Sequence, residues 1–152
     1  MDAGKYIVDA TQDVFASMIF MEIVPEPLSE EPVASLEPSL SSLIGLAGDF
    51  KGILAIHCPE KVALGIAGSM LGMELTELNE DVKDAIGEIA NMVAGGLKES
   101  LASEGKKIEL AIPTTVIGKS IRTSGLSGAT RVLIPFATLP GRFGIELRYV
   151  LT

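Results

Sequence analysis

The sequence predicts an α/β protein of the α+β kind: a mixed, mainly antiparallel sheet with helices packed on it and a loose internal duplication. Three observations carry this. Apolar positions alternate between helical spacing and short strand-like runs, in the order helix, strands, buried helix, then helix and strands again. Two turn signals, Gly48-Asp49 and Leu139-Pro140-Gly141, separate paired apolar runs and read as hairpins. One segment, about 81 to 103, keeps a single core stripe over its whole length. The two halves are too divergent for the repeat to be aligned residue by residue.

The elements follow in chain order. Residues 5 to 21 place Ile7, Ala10, Val14, Met18 and Met21 at helical spacing, with Phe15 and Ile19 beside them. From Val24 to Pro38 four prolines stand among Glu26, Glu30, Glu31 and Glu37; this excludes a helix or a central strand and predicts an acidic, extended, solvated loop. Leu40 to Leu46 and Phe50 to Cys58 read as strands. Pro59-Glu60 opens a helix that is apolar on most sides, hence buried, and Gly72 helps to end it.

Asn79 suits an N-cap, with Glu80 and Asp81 at the positive end of the helix dipole. The long helix carries Val82, Ile86, Ile89, Val93, Leu97 and Leu101 as its core stripe, and Gly105-Lys106-Lys107 marks its stop. Ile108 to Ile117 is a strand interrupted by Pro113, and Lys119 to Thr130 is a polar connection. Arg131 to Ala137 and Arg142 to Leu151 form the last hairpin, with Phe143, Ile145, Leu147, Tyr149 and Leu151 on one face.

Length and composition narrow the function. The 152 residues suit one domain, 1–152, and 47% apolar against 21% charged residues is enough to build a core. Twelve Lys and Arg against 20 Asp and Glu give a net charge of −8, the wrong sign for neutralising phosphates, so nucleic acid is not an expected partner. Cys58 is the one cysteine, which excludes an intrachain disulfide and fits a reducing compartment. The most apolar stretch, Leu64 to Met73, is too short to span a membrane and is broken by three glycines. The start of the chain meets Asp9, Gln12 and Asp13 before any long apolar run, so no signal peptide and a cytoplasmic location are expected.

The outer side of the long helix is the informative surface. Asp84 and Glu88 differ by about 40° around the axis, Glu88 and Asn91 by about 60°, so the three share one face, with Gly95 and Lys98 further along it. Gly87, Gly95 and Gly96 each weaken the helix by roughly 1 kcal/mol. Two meanings stand side by side: a solvated face with glycines used for packing, the commoner case for a surface helix, or a site where bare backbone lets another molecule approach.

The stretch Asp84-Ala85-Ile86-Gly87-Glu88-Ile89-Ala90-Asn91-Met92-Val93-Ala94-Gly95, with Pro113 beyond it, resembles the signature of the CheC/CheX/FliY phosphatases of bacterial chemotaxis. Gly48-Asp49-Phe50-Lys51-Gly52-Ile53-Leu54-Ala55-Ile56, Ala63 and Met70-Leu71-Gly72 are similar to the strand and helix that precede it in CheX-like members. The resemblance covers about 5 to 150 and implies a CheC-like fold. It implies hydrolysis of the aspartyl phosphate of a CheY-like response-regulator receiver, terminating a signal. The receiver would bring the phospho-aspartate, Mg²⁺ and a lysine, so this chain would need no cofactor or metal of its own. Asn91 would orient the attacking water, since its amide both accepts and donates, and Glu88 would pair with the receiver lysine. Asp84, Gly95 and Pro113 would support, Pro113 by shaping the strand near the site.

CheC-type members carry a second site on the first helix. Matching Asp9 to Asp84 places Asp13 and Ala16 at the Glu and Asn positions, and a slide by one places Val14 and Ser17 there, so one site per chain is expected. CheX relatives form dimers, and the apolar C-terminal hairpin would offer an edge for a homodimer.

Other candidates are weaker. Gly118-Lys119-Ser120 mimics the end of a P-loop, but Pro113 stands where its first glycine belongs. His57 and Cys58 are adjacent on a strand and point to opposite faces, which favours a structural histidine over a metal ligand. The methionines beyond Met1 fall at core-like positions. The rival functions are a receiver-binding or scaffold module of the same fold without turnover, and a small-ligand regulatory domain marked by a large apolar pocket.

Overall fold

A computed structural model describes residues 2–119 and 126–152. Helix α1 (Ala3–Val14) is capped by Asp2, whose carboxylate accepts from the Lys5 backbone N–H at 3.0 Å. The expected helix to residue 21 stops earlier as an α-helix. Phe15–Ile19 form one π-helical turn, and Phe20 closes it in the left-handed region at φ 59°. The wider turn buries Phe15 and Ile19 while Met18 and Phe20 stand exposed.

The proline-rich segment forms no α-helix or central strand, as its composition requires, but it is not a free extended loop. Val24–Pro25 (β1) pairs as an edge strand with the later strand Thr130–Ala137 (β6). Val33–Leu36 make a 3₁₀ turn that buries Leu36. Arg142 forks the Glu26 carboxylate at 3.0 and 2.8 Å, and Arg131 donates to the Glu31 carbonyl at 2.8 Å. Two arginines from the far end of the chain thus hold it down, which no local pattern reveals.

Strands β2 (Leu40–Gly48) and β3 (Phe50–Cys58) form the first hairpin, turning at Gly48 with φ 110°. Helix α2 (Glu60–Leu71) ends at Gly72 in the left-handed region. It buries Val62, Ala63, Ile66 and Ala67, but Leu71 and the following Met73 are exposed, so it lies on the core by one face and is not buried all round. Helix α3 (Glu80–Ser103) starts where expected, the Asn79 side chain accepting from the Val82 N–H at 3.1 Å. The interrupted strand resolves into β4 (Ile108–Leu110) and β5 (Thr114–Ile117), broken at 111–113, both antiparallel to β2. β6 (Thr130–Ala137) and β7 (Arg142–Leu151) make the second hairpin. The expected stripe on β7 fades at its end, where Leu151 is exposed. Half of the predicted polar connection before β6, residues 120–125, lies outside the described residues.

The sheet order is β1-β6-β7-β3-β2-β4, with β5 also on β2. This order is palindromic. Exchanging α1, β1, β2 and β3 for α3, β4/β5, β6 and β7 reproduces it in reverse, so each half lends its first strand to the other half's hairpin. The internal duplication is legible in pairing even though it is not legible in residues. The same order corrects the expected dimer edge: β7 is an interior strand between β6 and β3, and the outer positions belong to β1 and β4/β5.

Helices α1 and α3 run antiparallel on one face of the sheet. Tyr6 near the start of α1 donates to Glu104 at the end of α3, and a Cβ at Gly96 would lie 2.7 Å from the Ala10 Cβ. Beneath them Phe15, Phe143 and Phe136 stack with ring centroids 5.2 and 5.1 Å apart. Among the described residues no helix is long and apolar enough to cross a membrane.

Candidate functional site

The α3 stripe Val82, Ile86, Ile89, Val93 and Leu97 is buried to 1% exposure or less, and this fixes what the helix turns outward. Asp84, Glu88, Asn91 and Lys98 are exposed and Gly95 is half-buried, all within an arc of about 80°. Among the described residues neither Glu88 nor Asn91 has a hydrogen-bond or ion-pair partner in the chain. Their carboxylate and amide are therefore free to meet another molecule.

The three α3 glycines separate into two kinds. A Cβ at Gly96 would press on Ala10 of α1, and a Cβ at Gly87 would meet the Thr115 hydroxyl at 3.2 Å, with Ser42 Oγ at 3.8 Å and Pro113 at 3.9 Å behind it. Both are packing glycines. A Cβ at Gly95 would meet nothing within 4 Å. Among the described residues no contact explains a residue that costs the helix roughly 1 kcal/mol there. Gly95→Ala is expected to raise stability by about 0.5–1 kcal/mol, whereas Gly96→Val should lower it by about 1–3 kcal/mol through overpacking against α1. Urea denaturation of both proteins checks the pair; equal effects would contradict the distinction.

Pro113 reaches the site through Gly87. The chain break between β4 and β5 sets the proline against the helix one turn before Asn91, on the same flank, since positions four apart lie about 40° apart. Thr115 donates to Ser42 at 2.9 Å just beside it, tying β5 to β2 under the helix. The sequence separated Pro113 from Asn91 by 22 positions; the fold brings the proline against α3 at Gly87, one turn before Asn91.

Helix α1 presents no equivalent set. Asp13, Ala16 and Ser17 are exposed, but Ala16 and Ser17 fall in the π turn, and the Ser17 hydroxyl is spent on the Asp13 carbonyl at 2.7 Å.

A second polar cluster lies on the opposite face of the sheet. His57 is buried, its Nδ1 2.6 Å from Ser41 Oγ and its Nε2 3.1 Å from Glu146 Oε1, while Arg131 donates to Glu146 Oε2 at 2.8 Å. With Nε2 donating to the carboxylate, Nδ1 of a neutral ring accepts from the Ser41 hydroxyl. Burial alone would push the Glu146 carboxyl up. The hydrogen bonds from His57 and Arg131, with the charge of the Arg131 guanidinium, outweigh that and hold it below the usual range. Ser41, at 0% exposure, is closed to any substrate, so the cluster is a structural clasp. Sequence reading anticipated a structural His57; Ser41, Arg131 and Glu146 as its partners carried no local signal.

The remaining sequence candidates find no site. Cys58 points to the helix side of the sheet, away from the His57 ring, and burial pushes its thiol up to about 12, which leaves it unreactive. Gly118 and Lys119 follow edge strand β5, and Ser120 lies outside the described residues. The methionines are less buried than expected: Met18 and Met73 are exposed, and Met21, Met70 and Met92 are half-buried. A surface groove of about 590 Å³ lies among Phe20, Val24, Ser69 and Leu139, and no α3 residue lines it.

The family described as "Chemotaxis phosphatase CheX" matches residues 40–137, which include α3 and Pro113. The CheY-P phosphatase CheX of Thermotoga maritima is 36% identical over 85 residues, 55% of this chain and 55% of that protein. The match thus spans about half the length of that curated relative. The crystal structure of chemotaxis protein CheX from Vibrio vulnificus superposes with a TM-score of 0.87 at 30% identity, covering 99% of this chain and 97% of that one. A CheX–CheY–BeF₃–Mg²⁺ complex from Borrelia burgdorferi shares the fold with a TM-score of 0.85 at 20% identity, covering 97% of each chain. With more than half of its length matched by the family, an α3 face of the expected composition and Pro113 braced against it, this chain belongs to the CheX family.

Proposed function

We propose that this chain hydrolyses the aspartyl phosphate of a CheY-type receiver and so terminates a two-component signal. The observation that carries the reading is the α3 face: a carboxylate and an amide with no partner among the described residues, one turn apart, beside a glycine that no described contact requires. The proteins named above as a CheY-P phosphatase and as a complex with CheY support the same substrate class.

Chemistry at such a face is small in extent. The water oxygen forms a bond to phosphorus as the bond from phosphorus to the receiver carboxylate oxygen breaks; the products are a free aspartate and inorganic phosphate, which with solvent takes up the water protons. Asn91 holds that water in line, its carbonyl oxygen accepting one O–H and its NH₂ positioned toward the phosphoryl. Glu88 pairs with the receiver lysine and sets the register of the two surfaces. Asp84 adds negative charge near the start of α3, and Gly95 keeps the surface beside Asn91 clear. Mg²⁺ arrives with the receiver, where it neutralises the phosphoryl charge.

The test uses each CheY-type receiver of the source organism, loaded with a small acyl-phosphate donor. Wild-type protein is expected to accelerate decay of the phosphoryl group, and Glu88→Ala to demand a much higher protein concentration for the same rate. Binding without acceleration on any receiver replaces this reading with a non-catalytic receiver-binding module. Added salt is expected to weaken the association, because the paired groups are exposed.

A further inference from the structure

We propose that Lys98 reads the phosphoryl charge: its ammonium contacts the phosphoryl oxygens of the partner's aspartyl phosphate while Asn91 orients the water. This rests on the receiver-phosphatase reading above. Lys98 stands seven residues beyond Asn91, about 20° away around the axis and about 10 Å along it. Helical side chains lean toward the N-terminus, so the Lys98 stem lies back over position 95 toward Asn91. Position 95 is a glycine with open space above it, which leaves that path clear. A four-carbon stem reaches about 6 Å, so the ammonium can close much of that distance and leave a gap on the order of a phosphoryl group with a hydrogen bond on either side.

The charge is also uncommitted. No acidic residue occupies positions 94, 95, 101 or 102, where a helix neighbour would capture it, and Lys98 makes no ion pair among the described residues. Lys83, by contrast, is tied to Glu80 at 3.4 Å. In a chain of net charge −8, with Glu80, Asp81, Asp84 and Glu88 along the first half of α3, a free cation on the site face stands out. Unopposed, that acidic excess would repel a phosphoryl dianion. Lys98 offsets it at the one place where the anion must sit, and Gly95 acquires a second role as the clearance for its side chain.

The experiment measures equilibrium binding of the cognate receiver in two forms, unloaded and loaded with beryllofluoride and Mg²⁺ as a stable phosphoryl mimic. Lys98→Met is expected to weaken binding of the loaded form by about tenfold, the size of one charge-assisted contact, with less than a twofold change for the unloaded form. Lys98→Arg should retain most of the affinity, and with the phosphorylated receiver Lys98→Met should raise KM more than it lowers kcat. Because Lys98 is exposed, an unchanged melting temperature is expected for both variants. Equal weakening of both forms would mean that Lys98 pairs with a receiver carboxylate instead, and no weakening would make it a solvated surface lysine; either result overturns the proposal. Asn91→Ala separates this from the parent reading. If that variant still binds the loaded receiver but no longer accelerates decay, the phosphatase reading stands whatever Lys98 does.

Discussion

Asn91→Ala is expected to abolish accelerated decay of the receiver phosphoryl group while leaving the fold and receiver binding intact. Asn91 is exposed and makes no hydrogen bond among the described residues, so its removal costs the fold little; alanine is the better helix former. What is lost is orientation of the water. Misplacing a reacting group by about 1 Å costs on the order of 100-fold in rate, and here the displaced group would be the nucleophile itself, so a loss of about 100-fold or more is expected. Asn91→Asp makes the experiment sharper. A carboxylate still accepts from the water but donates nothing and repels the phosphoryl, so it should not restore activity. Single-turnover decay measured at saturating phosphatase checks both. A variant that binds and turns over like wild type would remove Asn91 from the mechanism.

Glu146→Ala is expected to destabilise the protein by about 3–5 kcal/mol, with little effect on the site face. The carboxylate is the shared acceptor of His57 and Arg131 on the sheet face opposite the helices, and removing it leaves His57 Nε2 and Arg131 Nε without their partner. Arg131 also donates to the Glu31 carbonyl, and Leu36 is seated at Gly144, where a Cβ would come within 2.4 Å of its Cδ1. Loss of Glu146 should therefore release the 26–38 segment first, visible as faster hydrogen exchange there than in α3. The pH dependence has a definite sign. The folded-state pKa of Glu146 lies below its unfolded value, so its contribution is present above the ordinary carboxylate range and is lost as pH falls through the depressed folded value. The stability gap between wild type and Glu146→Ala should accordingly narrow in acid. A gap that is constant from neutral pH down to strongly acidic pH would show that packing, and not charge, holds the clasp.

Much of the architecture was legible because it rests on local rules. Asn79 capping α3, Gly72 ending α2, the turn at Gly48 and the two hairpins all follow from backbone preferences that act within a few residues. Where expectation and structure part, the deciding interaction is distant. The π turn at Phe15–Ile19 lies in a segment whose Phe15 ring stacks on Phe143 of β7. The proline-rich segment is pinned by Arg131 and Arg142, 100 and 116 residues away from their partners in it. Hydropathy marks Met18, Leu71 and Met73 as core, yet they stand at the surface because no neighbouring element covers them.

The site divides the same way. The sequence alone determined that Asp84, Glu88, Asn91, Gly95 and Lys98 share one helix face, because 3.6 residues per turn is a property of the chain and needs no tertiary context. Only the tertiary structure decided that this face is open, that Gly87 and Gly96 are packing glycines while Gly95 is not, and that Pro113 sits against α3 one turn before Asn91. Those facts depend on what approaches the helix from β5 and α1, and approach between segments far apart in sequence is set by the packing of the whole sheet rather than by any local pattern.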